Sequence, residues 1–134
     1  MKTKMQTSVI KKAVLLALML VTGSAWAEWV NVGGSNMFNS YIDPATIRKD
    51  GNLRKVWSIQ DLKQRYKNGE MSRRAKEEYD CQGERSRLLS LSFHSEPMAG
   101  GTTLSSNNFE NPDHWTQIPP DSAGEIILKI VCAK

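Results

Sequence analysis

The sequence contains little cysteine and little histidine, two residues of each among 134. A structural metal site needs three or four converging ligands at a recognisable spacing, and the histidines show no such spacing. No glycine-flanked serine marks a hydrolase nucleophile, so a Ser-His-Asp triad assembled from distant residues is the enzyme alternative. We therefore expect no metal, no cofactor and no catalysis, with His94 and His114 as exposed side chains.

Long hydrophobic runs are also scarce. The longest, AVLLALMLV (Ala13 to Val21), is too short for a transmembrane helix, which needs roughly 20 apolar residues. Lysines precede it and the small-residue pattern Ala25-Trp26-Ala27 follows, which is the layout of a secretory signal peptide. No cysteine near this site offers a lipid attachment point. We expect residues 1–27 to be a signal peptide cleaved after Ala27, and residues 28–134 to form a single exported domain, periplasmic or at the cell surface.

Outside the signal peptide, the chain has no excess charge of either sign. The formal net charge of +4 comes from Lys2, Lys4, Lys11 and Lys12, because no acidic residue precedes Glu28. A neutral domain lacks the basic footprint of nucleic-acid-binding proteins, so we expect no nucleic-acid partner. The charge is uneven, however: bases outnumber acids between Arg48 and Arg87, and acids outnumber bases after that.

The basic stretch is the candidate partner-binding surface, because neighbouring strands would gather its side chains at one edge. Its residues are Lys63, Arg65, Lys67, Arg73, Arg74, Lys76, Arg85 and Arg87. Such clusters attract anionic polysaccharides, acidic protein surfaces or phospholipid headgroups. The alternative is a solvated face, since Glu77, Glu78, Asp80 and Glu84 neutralise much of this charge. Exposed sheet edges also allow a homodimer or capture of a partner's strand.

The two cysteines, Cys81 and Cys132, are expected to pair. In an exported small domain an even pair of cysteines is typical of a disulfide. A crosslink over a loop this long stabilises by roughly 4 kcal/mol in the chain-entropy account. A catalytic thiol would need a base partner, and the chain offers two histidines for that role.

Two-residue periodicity predicts strands through most of the domain. Asp50-Gly51 is a hairpin signal between β-rich runs. In the strand that follows it, Trp57 and Ile59 share an apolar face, and Val56 is an exception on the polar face. Pro44 is expected to end the preceding strand, and Gly100-Gly101 is expected to be a turn. The remaining strands are expected near Phe38 to Ile42, Ala75 to Cys81, Leu89 to His94 and Thr102 to Leu104, before a polar loop.

The C-terminal segment, PPDSAGEIILKIVCAK, carries mixed signals. Ser122 followed by Glu125 is a capping box, and apolar residues fall on one helical stripe. The isoleucines and valine are β-branched and favour a strand instead. We favour a helix that ends by about Val131. Packed on the antiparallel strands, it would give an α+β fold in which the covered face carries Trp57, Tyr79, Leu89 and Phe93.

Several motifs in order resemble the surface-adhesin E family of Gram-negative bacteria. They are SYIDPATI, Val56-Trp57, EYDC, an Arg- and Leu-rich strand, the pattern of Trp115, Ile118, Pro120 and Ser122, and a terminal helix closing on Cys132. The resemblance implies a curved antiparallel β-sheet of about six strands. It also implies a C-terminal α-helix on the concave face, tethered there by the disulfide.

The resemblance further implies a non-catalytic binding protein of the cell envelope. The family takes its name from an adhesin that binds host matrix and plasma proteins, and its members can dimerise. This chain has no lipid-accepting cysteine after the signal, so a periplasmic location competes with surface display. The alternative is a periplasmic structural or stress-related factor that acts by self-association, with no adhesive role.

Overall fold

The computed structural model describes residues 27–109, 112 and 114–133. Apart from Ala27, the predicted signal peptide lies outside these residues. The elements are β1 (Val30–Gly34), β2 (Phe38–Asp50), β3 (Leu53–Leu62), β4 (Ser72–Asp80), β5 (Arg85–Glu96), β6 (Gly100–Asn108), β7 (Thr116–Gln117) and α1 (Ala123–Val131). Within this part of the chain, no helix is both long enough and apolar enough to cross a membrane.

The strands form one open antiparallel sheet in chain order. Each of β1 to β6 pairs with its sequence neighbours, and the short β7 pairs with β5. The β2–β3 hairpin closes where expected, with Asp50 opposite Leu53. Gly51 has a φ of +56°, a conformation that glycine adopts without a steric penalty. The predicted antiparallel sheet with one C-terminal helix is confirmed.

Strand β2 continues past Pro44, where the sequence predicted that it would end. The pairing register shifts between Asp43 and Arg48, which marks a bulge. Beside it the Thr46 hydroxyl donates to the carbonyl of Asp43 at 2.6 Å and accepts the backbone N–H of Trp57 at 3.0 Å. A side chain thus supplies the acceptor that the interrupted ladder lacks, and the strand resumes beyond the proline.

The helix α1 begins and ends as the sequence indicates. Ser122 is the N-cap, and its hydroxyl accepts the backbone N–H of Glu125 at 3.2 Å. The Glu125 carboxylate in turn accepts the N–H of Asp121 at 2.8 Å, one residue earlier than in the usual capping box. The helix ends at Val131 with Cys132 as its C-cap. The capping interactions and the burial of one apolar stripe of α1 outweigh the preference of its β-branched residues for a strand.

The core lies between α1 and one face of the sheet, which we call the helix face. The sheet contributes Val32, Ile42, Val56 and Tyr79, and the helix contributes Ile127, Leu128 and Val131. A disulfide joins Cys81, just after β4, to Cys132 at the end of the helix, with a Cα–Cα distance of 5.7 Å. The predicted crosslink is confirmed.

The opposite surface of the sheet, which we call the outer face, carries Trp57. The expectation that the helix would cover Trp57 is therefore wrong, and Val56 is a core residue rather than an exception. The reason is that adjacent residues of a strand point to opposite faces, so Val56 faces α1 and Trp57 does not. The expectation that the helix would cover Phe93 is also wrong, because α1 contacts β1 and β2 and leaves the part of the helix face that carries Phe93 open. Ser58 and Gln60 occupy part of the open area, which gave the Val56 face its polar pattern.

Four further differences concern strand boundaries and register. The structure adds β1, which the sequence did not indicate, and β6 extends through Asn108 into the segment predicted as a loop. The turn before β6 spans residues 97–99, and Gly100 already belongs to the strand. A bulge in the β4–β5 pairing places Leu88, not Leu89, opposite Glu77. Uncharged polar strands and single-residue bulges leave little trace in hydrophobic periodicity.

Candidate functional site

The predicted basic residues divide among three places instead of gathering on one edge. The β3–β4 connection carries Lys63, Arg65 and Lys67. Strand β4 places Arg73 on the helix face but Arg74 and Lys76 on the outer face, because alternate residues of a strand point to opposite sides. Strand β5 adds Arg85 and Arg87 to the outer face.

Arg65 holds the β3–β4 connection in place. One guanidinium nitrogen donates to the carbonyls of Gly69 at 2.9 Å and Ser95 at 2.6 Å, and another lies 3.6 Å from Glu96. These bonds tie the connection to the end of β5. Arg65 therefore acts structurally, while Lys63 and Lys67 are exposed.

Arg73 on the helix face is neutralised by Glu70. Its guanidinium donates to both carboxylate oxygens, at 3.0 and 2.9 Å, and lies 5.2 Å and 5.5 Å from the ring centroids of Tyr66 and Phe93. The hydrogen bond from Arg73 holds the pKa of Glu70 below its ordinary value, although burial opposes this effect. The bidentate geometry is typical of a strong local pair.

Arg85 and Arg87 form two ion pairs on the outer face. Arg85 binds Asp80 at 2.8 Å and Arg87 binds Glu78 at 2.6 Å. Both guanidinium groups stack against Trp115, at 4.7 and 4.3 Å from its centroid. The backbone N–H of residue 83, followed by Arg85, lowers the pKa of Asp80. The charges on these two arginines are thus balanced, and the stacking fixes the segment before β7.

Arg74 and Lys76 differ from the arginines above, because neither has a carboxylate partner among the residues that the structure describes. The guanidinium carbon of Arg74 lies 4.3 Å from the Trp57 ring centroid, and Nζ of Lys76 lies 5.8 Å from it. Strand β5 places Ser92 opposite Arg74 and Ser90 opposite Lys76. We call Trp57, Arg74 and Lys76 the outer-face cluster. It offers two positive charges, an aromatic ring and neighbouring hydroxyls.

His94 is buried, with 7% of its surface exposed, so its expected exposure is wrong. Its Nε2 and the Ser92 hydroxyl share a hydrogen bond of 2.8 Å. Burial and the charge of Arg74 lower the pKa of His94, so the ring is neutral at pH 7. No carboxylate contacts this ring, and no three potential metal ligands converge, anywhere in the described ranges. His114 is exposed, as expected.

Comparisons with known proteins identify the family and the fold. The family model for surface-adhesin protein E matches residues 29–133. Crystal form II of Haemophilus influenzae protein E shares 17% identity over 78% of this chain and 96% of that chain, with a TM-score of 0.57. Its selenomethionine form shares 17% identity over 82% of this chain and 89% of that chain, with a TM-score of 0.59. Protein E from non-typeable H. influenzae shares 18% identity over 84% of this chain and 79% of that chain, with a TM-score of 0.56.

No curated protein sequence matches this chain. At identities this low, the similarity to the solved structures shows a shared fold. The family model itself extends from before β1 to just past the second cysteine of the disulfide. The chain therefore belongs to the surface-adhesin protein E family.

Proposed function

We propose that this chain is an exported, non-catalytic binding protein of the bacterial cell envelope that acts as an adhesin. Family membership supports the adhesive role, and the signal-like first 27 residues support export to the cell surface or the periplasm. The partner is an anionic polysaccharide or an acidic protein surface, such as host matrix offers.

The outer-face cluster carries the proposal. Other arginines of the basic stretch have carboxylate partners in the fold, whereas Arg74 and Lys76 have none in the described chain. Stacking on Trp57 restrains both side chains, which reduces the entropy lost when a partner binds. Charges that are restrained yet unpaired attract an anion without first breaking an internal ion pair.

The test is charge reversal of the cluster, Arg74→Glu with Lys76→Glu. Each exposed charge pair contributes about 0.5–1 kcal/mol, so losing two predicts roughly tenfold weaker binding to a polyanion. Heparin-affinity chromatography measures this as elution at lower salt, and a salt titration of binding shows a shallower slope.

A matched control reverses the same amount of charge elsewhere, Lys63→Glu with Lys67→Glu. These lysines are exposed in the β3–β4 connection, away from Trp57. If the control elutes as early as the cluster variant, net charge rather than the cluster governs binding. Unchanged elution of the cluster variant refutes the proposed surface. Arg73 is left intact because its reversal would break the pair with Glu70.

The proposal of no catalysis is supported by the surroundings of His94. Ser92 and His94 are hydrogen-bonded, but Ser92 lies within β5 on the outer face and no acidic residue in the described chain orients the imidazole. A working triad needs that orienting partner. Ester hydrolysis by the purified protein that His94→Ala abolishes would contradict this part of the proposal.

The second candidate function is a periplasmic structural or stress-related factor that acts by self-association. Strand β6 favours it, because no strand covers its outer edge within the described ranges. The strand GGTTLSSNN contains no charge and no proline, the usual devices that protect an edge from pairing. An exposed edge without these devices can pair with the same strand of a second copy.

A further inference from the structure

The helix face has a groove that α1 does not cover. Two cavities adjoin there, of about 510 and 310 Å³, and both are lined by Glu77 of β4 and Leu88 of β5. Because α1 packs on β1 and β2, the β4–β5 half of this face is open. Cavities of this size are typical of small-molecule sites.

The walls of the groove combine apolar side chains with polar ones, among them Arg73 and Arg87. Leu88, Leu91 and Phe93 project from β5, and Phe109 and Pro112 line the larger cavity from the segment after β6. These side chains offer hydrocarbon and aromatic surface to an apolar ligand. Its burial is favourable at about 25 cal/mol for each Å² removed from water.

Glu77 is the acidic side chain among these lining residues. Its Oε2 accepts the hydroxyl of Tyr79 at 2.5 Å, while Oε1 has no hydrogen-bond partner in the described chain. The Glu77 side chain is partly exposed and lines both cavities. Burial raises the pKa of Glu77, as expected for a carboxyl surrounded by protein without a cation beside it.

No ion pair to Glu77 occurs among the described residues. Arg73 at one end of the groove is bound to Glu70, and Arg87 at the other is bound to Glu78 on the outer face. Neither arginine bonds to Glu77. A ligand with a positively charged group beside Oε1 would form an ion pair with the Glu77 carboxylate, and a charge-assisted hydrogen bond of this kind is strong.

We propose that the groove binds a small apolar molecule bearing a primary amine. The ammonium group contacts Oε1 of Glu77, and the apolar body lies against Leu88, Leu91 and Phe93. This site is on the opposite face from the outer-face cluster and takes a ligand of opposite charge. It therefore stands independently of the adhesive function proposed above.

The test compares 4-phenylbutylamine with 4-phenylbutan-1-ol by isothermal titration calorimetry at pH 7.5. The two probes share an apolar body and differ in the head group. We expect the amine to bind wild-type protein at least about tenfold more tightly than the alcohol. In Glu77→Gln the two affinities become equal, and the alcohol binds as it does to wild type.

Two further variants separate the site from general effects. Glu84→Gln removes the same charge from an exposed turn and should leave the preference for the amine unchanged. Leu91→Asn should weaken both probes together, because it removes apolar wall. Equal binding of both probes to wild type, no binding of either, or the same loss in Glu84→Gln overturns the proposal. The wild-type comparison decides the matter even if Glu77→Gln fails to fold.

Discussion

Glu77 and Tyr79 are two residues apart on β4 and mark the boundary between the core and the groove. The Tyr79 ring is buried beneath α1, and its hydroxyl reaches out to the Glu77 carboxyl. Burial, followed by the nearby Glu77, raises the pKa of Tyr79, so the phenol remains a hydrogen-bond donor at every physiological pH. One side of Glu77 is thus satisfied by the fold, and the other faces the groove.

The raised pKa of Glu77 predicts that stability depends on pH. The folded state favours the protonated acid, so this contribution is complete below the ordinary value of 4.5 and is lost as pH rises through the raised pKa. In urea unfolding from pH 4.5 to 8, the free energy of unfolding of wild type should fall relative to that of Glu77→Gln. His94, whose lowered pKa adds stability as the pH rises, contributes to both proteins alike.

Glu84→Gln is the control, and it should keep the wild-type pH profile. Glu70, Asp80 and Glu125 have lowered pKa values, so the stability that they contribute is lost only as the pH falls below the ordinary pKa range of carboxyl groups. That loss lies outside the experiment, which runs from pH 4.5 to 8. Identical profiles for wild type and Glu77→Gln would show that Glu77 titrates with its unfolded value.

At the same scale, sequence reasoning found the charged residues but not their partners. Alternation along β5 places Arg85 and Arg87 on one face. It gave no sign that Trp115 would stack on both, because the register of β7 brings that ring into place. Likewise, the burial of His94 depends on neighbours distant in sequence. Such contacts arise from tertiary pairing and leave no local pattern.

Among the elements, α1 was predictable and the buried face of β3 was not. Local signals decide the helix: an N-cap serine, a glutamate three residues later and an apolar stripe. For β3, the more apolar side carries Trp57, yet that ring is half-exposed and covered by Arg74 and Lys76. Long cationic side chains can shield an aromatic ring as a helix would, and a hydrophobicity pattern does not distinguish the two.

The disulfide should matter most to α1. It anchors the helix end to β4, and a helix of nine residues is unstable alone. Cys81→Ala with Cys132→Ala should lower the free energy of unfolding by about 2–4 kcal/mol. Urea unfolding measures the loss, and hydrogen exchange should show faster exchange of the α1 amides than of those in β3.

If the helix amides stay as protected as in wild type, packing of Ile127, Leu128 and Val131 alone holds α1 on the sheet. Reduction of the wild-type bond by dithiothreitol should reproduce the effect of the double variant. A difference between the two would assign part of the loss to the substituted side chains.

For the whole molecule, the antiparallel sheet, the C-terminal helix and the disulfide between them followed from strand alternation, the cysteines and the family resemblance. The groove did not. It requires that α1 cover half of the helix face and that a bulge turn Leu88 toward Glu77. Both features depend on how elements of unequal length fit together, which periodicity along a single strand does not encode.

Self-association through the β6 edge is tested with Ser106→Pro. Phe109 donates its N–H to β5, and alternation directs the N–H of Ser106 outward. Proline there leaves the internal ladder intact and removes a donor that a second copy would use. Multi-angle light scattering should show a dimer for wild type and for Ser106→Ala, and a monomer for the proline variant. A wild-type monomer at every concentration excludes this route.

The crosslink also determines how the molecule bears mechanical load. A pulling force on the two ends of the domain passes through Cys81 and Cys132, whose Cα atoms stay 5.7 Å apart. The intervening segment, with a sequence separation of 51, would extend to about 170 Å if it were released. It is bypassed instead, and β5, β6, β7 and α1 lie within it. Tension between the two ends of the domain therefore acts on β1 to β4, and the crosslink reduces the distance over which the domain can extend.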